Sequence, residues 1–254
     1  MPALFLGHGS PMNAIEDNRW SRAFRAIGET LPKPRAVLAI SAHWYLPRTL
    51  VTSNPRPRTI HDFGNFPKRL HDMQYPAPGS PDLATRISAL IDAAEPSADW
   101  GLDHGTWSVL VHLMPNADCP VVQLSIDSSR SGAEHVELGK ALAPLRDEGV
   151  LIMASGNVTH NLRHAFASLQ SGETRTPDWA ARFDAEVARA LEQRDASHLG
   201  GALDTELGRV AHPTPEHYWP LLYALGASDE ADSLSFPLEG FDASSLSMRA
   251  ARFG

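Results

Sequence analysis

Residues 36–41, Ala-Val-Leu-Ala-Ile-Ser, offer no polar side chain to solvent before Ser41. Side chains alternate across a strand, so an apolar run of this kind has to be covered on both faces. Residues 3–6, 119–126 and 150–155 read as further buried strands, and Leu50–Thr52, Leu234–Pro237 and Ser245–Ala250 as shorter ones. Apolar residues at 3–4 residue intervals predict helices between them, over Ala14–Gly28, Pro81–Ala94, a short run to Met114, Ala133–Leu145 and Pro177–Gln193. Ser80 is the expected N-cap of the second. A last helix is expected to open at Thr214-Pro215-Glu216-His217-Tyr218, with Pro215 in its first turn. Strands alternating with helices predict an α/β fold. No repeat, low-complexity tract or linker divides the chain, so residues 1–254 read as one three-layer domain. Its central sheet is expected to be mostly parallel or mixed, with helices on both faces. The proline-rich stretch 53–80 has no regular pattern, and such a long irregular segment inside a domain is commonly functional.

Three of the apolar strands end alike. Leu6 runs to His8, Ile40 to His43 and Ala154 to His160. Parallel strands of one sheet bring their C-terminal ends to one edge, where open α/β sheets bind ligands. His8 lies between Gly7 and Gly9, which free the backbone to turn. A buried imidazole at such an edge needs a hydrogen-bond partner or a metal, and three together favour the metal. Glu216-His217 is a fourth candidate pair. His104, between Asp103 and Gly105, and His61, in the proline-rich stretch, read equally as site residues or as surface turn and loop. The remaining histidines have no comparable context.

Composition narrows the chemistry. The net charge of −8 argues against nucleic-acid binding, and no basic run suggests an anionic membrane. No apolar run approaches the ~18 residues of a membrane span, and the N-terminus lacks a signal-peptide pattern. Cys119 is the only cysteine, so neither an intrachain disulfide nor a thiolate metal cluster can form, which fits a cytoplasmic protein. Histidine and carboxylate without thiolate suit Zn or non-haem Fe(II). A phosphate-binding loop, a dinucleotide fingerprint and a nucleophile elbow are all missing.

The motifs Gly7-His8-Gly9-Ser10-Pro11, Ser41-Ala42-His43-Trp44, His61-Asp62-Phe63-Gly64, Tyr75-Pro76-Ala77-Pro78-Gly79, Asp103-His104-Gly105-Thr106-Trp107, Gln123-Leu124-Ser125-Ile126-Asp127, Ser155-Gly156-Asn157-Val158-Thr159-His160-Asn161-Leu162 and Thr214-Pro215-Glu216-His217-Tyr218 resemble, in the same order, those of the 4,5-DOPA extradiol dioxygenase family. That family belongs to the class III, LigB-type ring-cleaving dioxygenases. The resemblance runs from residue 4 to about residue 248. It implies a catechol substrate, O₂, and one non-haem divalent metal: Fe(II) for activity, and Zn(II) as the ion found in purified protein. By the same resemblance His8, His43 and His217 are metal ligands, with Glu216 a rival for the third place. His160 is the acid/base residue and a possible fourth ligand, and His104 faces substrate or oxygen. His61, Asp62 and Asn161 are expected to contact substrate, and Gly7 and Gly9 to clear space for a flat ring beside the metal. The expected reaction is extradiol cleavage to a muconic semialdehyde by a monomer or small homo-oligomer. Two other readings use the same histidines: a zinc-dependent hydrolase, active without O₂, and a non-catalytic zinc or small-molecule binding protein.

Overall fold

The computed structural model describes residues 1–254. Strand β1 (Ala3–Gly7) leads through a 3₁₀ turn (Pro11–Ala14) into helix α1 (Arg19–Glu29). This helix begins five residues later than its apolar spacing predicts because Asn18 caps it. The Asn18 side chain accepts from the amides of Trp20 and Ser21, and Ser21 Oγ accepts from Asn18 N. Strand β2 (Ala36–Leu46) outlasts its apolar run and is followed by β3 (Leu50–Thr52). The proline-rich stretch holds a one-turn helix, α2 (Lys68–His71), and a bridge from Thr59 to Leu102.

Ser80 caps α3 (Pro81–Leu90) by accepting from Leu83 N. This helix stops short of Ala94 and gives way to an edge strand, β4 (Glu95–Ser97), which Pro96 disguised. Then come α4 (His104–Leu113), β5 (Val121–Asp127), α5 (Gly132–Leu142), α6 (Pro144–Asp147) and β6 (Val150–Gly156). The helix expected over 133–145 is thus broken where Pro144 cannot donate to the preceding turn. Helices α7 (Leu162–Ser171), α8 (Asp178–Glu192), α9 (Ala196–Gly201), α10 (Glu206–Ala211) and α11 (Trp219–Gly226) follow. The last begins at Trp219 with Pro220 in its first turn, not at Thr214–Pro215, so His217 lies in the preceding turn. Strands β7 (Leu234–Leu238), β8 (Phe241–Asp242), β9 (Leu246–Ser247) and β10 (Ala250–Phe253) close the chain, the expected strand over 245–250 being split in two. No helix is long and apolar enough to cross a membrane.

The main sheet has the order β4-β3-β5-β2-β6-β1-β10-β7. Its centre is parallel: β2 pairs with β5 and β6, and β6 with β1. Antiparallel contacts of β3 with β5, and of β10 with β1 and β7, make the whole sheet mixed. Alternate side chains feed two cores. Phe5, Leu38, Ile40, Ile152 and Ala154 face one side, with Val136, Phe183 and Leu222 from α5, α8 and α11. Leu4, Leu6, Val37, Ala39 and Met153 face the other, with Trp20 and Phe24 of α1 and Trp107 and Leu110 of α4. The result is a single three-layer α/β domain. Because β2, β6 and β1 are adjacent and parallel, the histidines beyond Ile40, Ala154 and Leu6 emerge at one sheet edge.

Candidate metal centre

His8 follows β1 directly and is 2% exposed, with its amide donating to Gly156 O (3.0 Å). The flanking glycines serve the protein's own packing rather than a ligand. A Cβ on Gly7 would lie 2.7 Å from Ser247 O, and Gly9, at φ +61°, packs on the Met248 side chain. They clear room for the returning C-terminal segment. His43 lies inside β2, not past its end. The register against β5 shifts between Ile40 and Tyr45, and pairing with β6 stops at Ser41. Such an irregularity re-aims side chains, and here it carries His43. The turn bearing His217 is docked on the end of β6, where Asn157 N donates to His217 O (2.9 Å). His160 follows on the same loop, its amide bound to Ala211 O (3.0 Å).

The rings of His8, His43 and His217 form a nearly equilateral set, with centroids 5.2, 5.4 and 5.1 Å apart. Their Nδ1 atoms each face an oxygen. Ser155 Oγ donates its one proton to Gly105 O (2.5 Å), so it must accept from His8 Nδ1, 2.9 Å away. His43 Nδ1 faces Asp62 Oδ2 at 3.1 Å, and His217 Nδ1 faces Glu216 Oε1 at 3.1 Å. Each neutral ring therefore carries its proton on Nδ1 and its lone pair on Nε2. The Nε2 atoms of His8 and His43 are 3.3 Å apart. Two buried lone pairs at that distance repel unless a cation or proton lies between them. The donor set fits a divalent ion bound by imidazole nitrogen at ~2.0–2.1 Å, and no thiolate competes.

Electrostatics agree with this picture. Burial, reinforced by neighbouring histidines, holds His8 and His217 well below the ordinary histidine range, so both stay neutral. Burial also acts against protonation of His43, but Asp62, Asp103 and Glu216 outweigh it and raise its pKa. Burial acts to raise Asp62, yet the rings of His104 and His43 hold its carboxyl well below the usual carboxylate range.

Two further imidazoles flank the set. His104 begins α4; its amide donates to Asp62 Oδ1 (2.9 Å) and its Nδ1 lies 3.0 Å from Asp62 Oδ2, off the line of a good hydrogen bond. The His160 ring stacks on His217, centroids 3.4 Å apart and planes within 6°. Burial pushes its pKa down to about 3. Two donor sets lie within 4.8 Å internally: His8, His43 and His104, and His160, Glu216 and His217.

Other expected contacts are differently employed. Asn161 caps α7, accepting from His164 N (3.0 Å) and donating to Val210 O (2.8 Å), so its amide is engaged by the protein itself. Both oxygens of Asp62 face His43 and His104. His61 bonds Met73 O (2.9 Å) and packs with Phe63 and Trp107, while the Phe63 ring meets His104 edge-on at 5.5 Å. Sequence reasoning missed Ser155, Phe63 and Trp107, although all three lie within the quoted motifs. It also missed His212, buried beside His160, which donates from Nε2 to Val158 O (2.8 Å) and leaves Nδ1 unpartnered. Nothing near His212 in the sequence marks it.

Fold and site together define an α/β domain that holds a buried histidine cluster, suited to one non-haem metal, at the C-terminal edge of its parallel strands. Comparison with known proteins narrows the class. Residues 2–254 match the family described as the catalytic LigB subunit of aromatic ring-opening dioxygenase, and the chain belongs to that family. It is 48% identical to the 4,5-DOPA dioxygenase extradiol of Escherichia coli K12, over 100% of this chain and 95% of the relative. It is 38% identical to the Beta vulgaris protein of the same name, over 98% and 95%. A crystal structure of an uncharacterized protein from Escherichia coli K12 superposes with a TM-score of 0.83, at 43% identity and complete coverage of both chains.

Proposed function

We propose that this protein is a metal-dependent extradiol dioxygenase that opens the ring of a catechol, of the L-DOPA type, with O₂ to give a muconic semialdehyde. The observation that carries the reading is the 3.3 Å approach of His8 Nε2 to His43 Nε2 beside the His217 ring, with the Nδ1 of each ring facing Ser155, Asp62 or Glu216. His8, His43 and His217 are the ligands in this reading. Glu216 is the weaker third ligand because its Oε1 already accepts from Thr214 Oγ1 (2.9 Å) and faces His217 Nδ1. His160 is a poor co-ligand with His217: the lone pairs of face-stacked rings run parallel and do not meet at one ion.

A bound divalent ion supplies Lewis acidity, and iron(II), unlike redox-inert zinc, also supplies electrons to dioxygen. His160, neutral at physiological pH, accepts a catechol proton at a ring nitrogen and returns it later, a contribution of about 10²–10⁴-fold. His104 has its amide and Nδ1 turned to Asp62 and presents its opposite edge to substrate or oxygen. Phe63, with His61 and Trp107 behind it, forms an aromatic wall against which a flat ring packs.

Anaerobic reconstitution with Fe(II), followed by L-DOPA and O₂, tests the reading. The expected result is O₂ consumption with a new yellow product, and none with zinc. No uptake across a panel of catechols would sink it, and O₂-independent hydrolysis by zinc-loaded protein would favour a hydrolase instead.

A further inference from the structure

A facial set for non-haem iron ordinarily includes one carboxylate beside two histidines, which leaves the centre with a single positive charge. No carboxylate stands between the rings of His8, His43 and His217, whose centroids lie 5.1–5.4 Å apart. Two stand directly behind them. Asp62 Oδ2 is 3.1 Å from His43 Nδ1, and Glu216 Oε1 is 3.1 Å from His217 Nδ1. Both are largely shielded, their side chains 17% and 19% exposed. Each has a second anchor that fixes its direction: Asp62 Oδ1 accepts from His104 N, and Glu216 Oε1 from Thr214 Oγ1. The third ring, His8, is backed instead by the neutral Ser155 hydroxyl.

We propose that Asp62 and Glu216 together take the place of the missing ligand carboxylate from one bond further out. They lock His43 and His217 with their lone pairs inward, and their two negative charges offset the divalent ion through the imidazoles. They are positioning residues that act through His43 and His217, and the inference rests on those histidines being ligands. Asp62 does double duty, because it also fixes His104 and thereby joins the proline-rich loop to the metal site. A carboxylate that hydrogen-bonds a ligand imidazole raises its basicity, and loss of such a partner typically costs 10–100-fold in metal affinity.

Three near-isosteric variants separate charge from orientation: Asp62→Asn, Glu216→Gln and Ser155→Ala. Co²⁺ titration of the metal-free proteins, followed by absorption, measures affinity and coordination. The midpoint potential of the iron-loaded proteins measures local charge. Asp62→Asn and Glu216→Gln are each expected to weaken Co²⁺ binding by about 10–100-fold with the absorption envelope unchanged, and to raise the iron potential by destabilising the ferric ion. Ser155→Ala is expected to weaken binding without moving the potential. Potentials equal to wild type in both carboxylate variants would overturn the inference. So would an altered Co²⁺ envelope in Glu216→Gln, which would make Glu216 a ligand. A wild-type chain that binds no Co²⁺ would overturn the ligand reading beneath it. Thermal unfolding of each metal-free variant shows whether a weakened site reflects lost fold, and affinity that falls only in step with that loss also counts against the inference.

Discussion

Two buried polar clusters meet at Ser247 and are built on opposite rules. On one side Ser247 Oγ donates to Asp184 Oδ1 (2.6 Å), and Arg249 grips the same carboxylate through Nε (3.1 Å) and Nη2 (2.6 Å). Glu239 adds a contact at 3.1 Å, and the guanidinium lies over the Phe236 ring. There every charge is met by its opposite. On the other side Ser247 O accepts from Asn157 Nδ2 (2.8 Å), at the threshold of the histidine cluster. In that cluster two Nε2 lone pairs confront each other at 3.3 Å, and polar atoms of His104, His212 and Asn157 have no partner. A satisfied network secures the chain, whereas an under-satisfied one leaves polar atoms able to engage a ligand. The C-terminal segment belongs to both: it is pinned to α8 and packs against Gly7 and Gly9 beside His8.

The sharpest way to break this contrast is to remove one of the proposed ligands. His217→Ala is expected to abolish stoichiometric metal binding while the metal-free protein keeps its fold, as judged by metal analysis and circular dichroism. Metal binding retained in full would collapse the distinction. His160→Ala is expected to keep metal and lose about 10²–10⁴-fold in kcat. If metal is lost too, His160 joins the ligands. On the structural side, Arg249→Met leaves Asp184 buried without its cation and is expected to cost about 3–5 kcal/mol in denaturant unfolding. A cost near zero would show that this pair is not what pins the segment.

Acid should separate the clusters as well. Binding to His43 requires the neutral ring, and the surrounding carboxylates raise its pKa above the ordinary value near 6.5. Metal affinity is therefore expected to be full above that raised pKa and to fall as pH drops through it. Equilibrium dialysis across pH 5–8 measures this, and a flat profile would contradict it. The smallest effect is expected at the aromatic wall. Phe63→Ala should raise KM for a catechol about 2–10-fold, on the scale of one aromatic contact, with metal affinity unchanged.

Much of this was legible in the sequence because burial leaves a strong signature. The apolar runs at 36–41 and 150–155 located central parallel strands, and the histidines after three such runs marked one edge of the sheet. Helix limits were less legible wherever a local side chain outranked apolar spacing, as Asn18 does at α1 and Pro144 does after α5. The turn of Thr214–Tyr218 was mistaken for a helix start because Pro215 suits both. The site suffered the same ambiguity one level up. A polar residue beside a histidine, such as Asp62 or Asn161, can face either a ligand or the protein's own groups, and only the fold shows which protein groups it engages.

The sequence alone determined that the chain forms an α/β domain, that any metal donors must be histidine or carboxylate rather than a thiolate cluster, and that several histidines gather at the ends of buried strands. These are properties of residue type and short-range pattern. Only the tertiary structure decided which nitrogen of each ring faces inward. For two of the rings that depends on partners distant in the chain, Ser155 for His8 and Asp62 for His43, whereas Glu216 faces the Nδ1 of its neighbour His217 in a turn docked on β6. It also decided that Gly7 and Gly9 make room for Ser247 and Met248. A hydrogen bond forms between neighbours in space, and no spacing rule along the chain specifies which residues those will be.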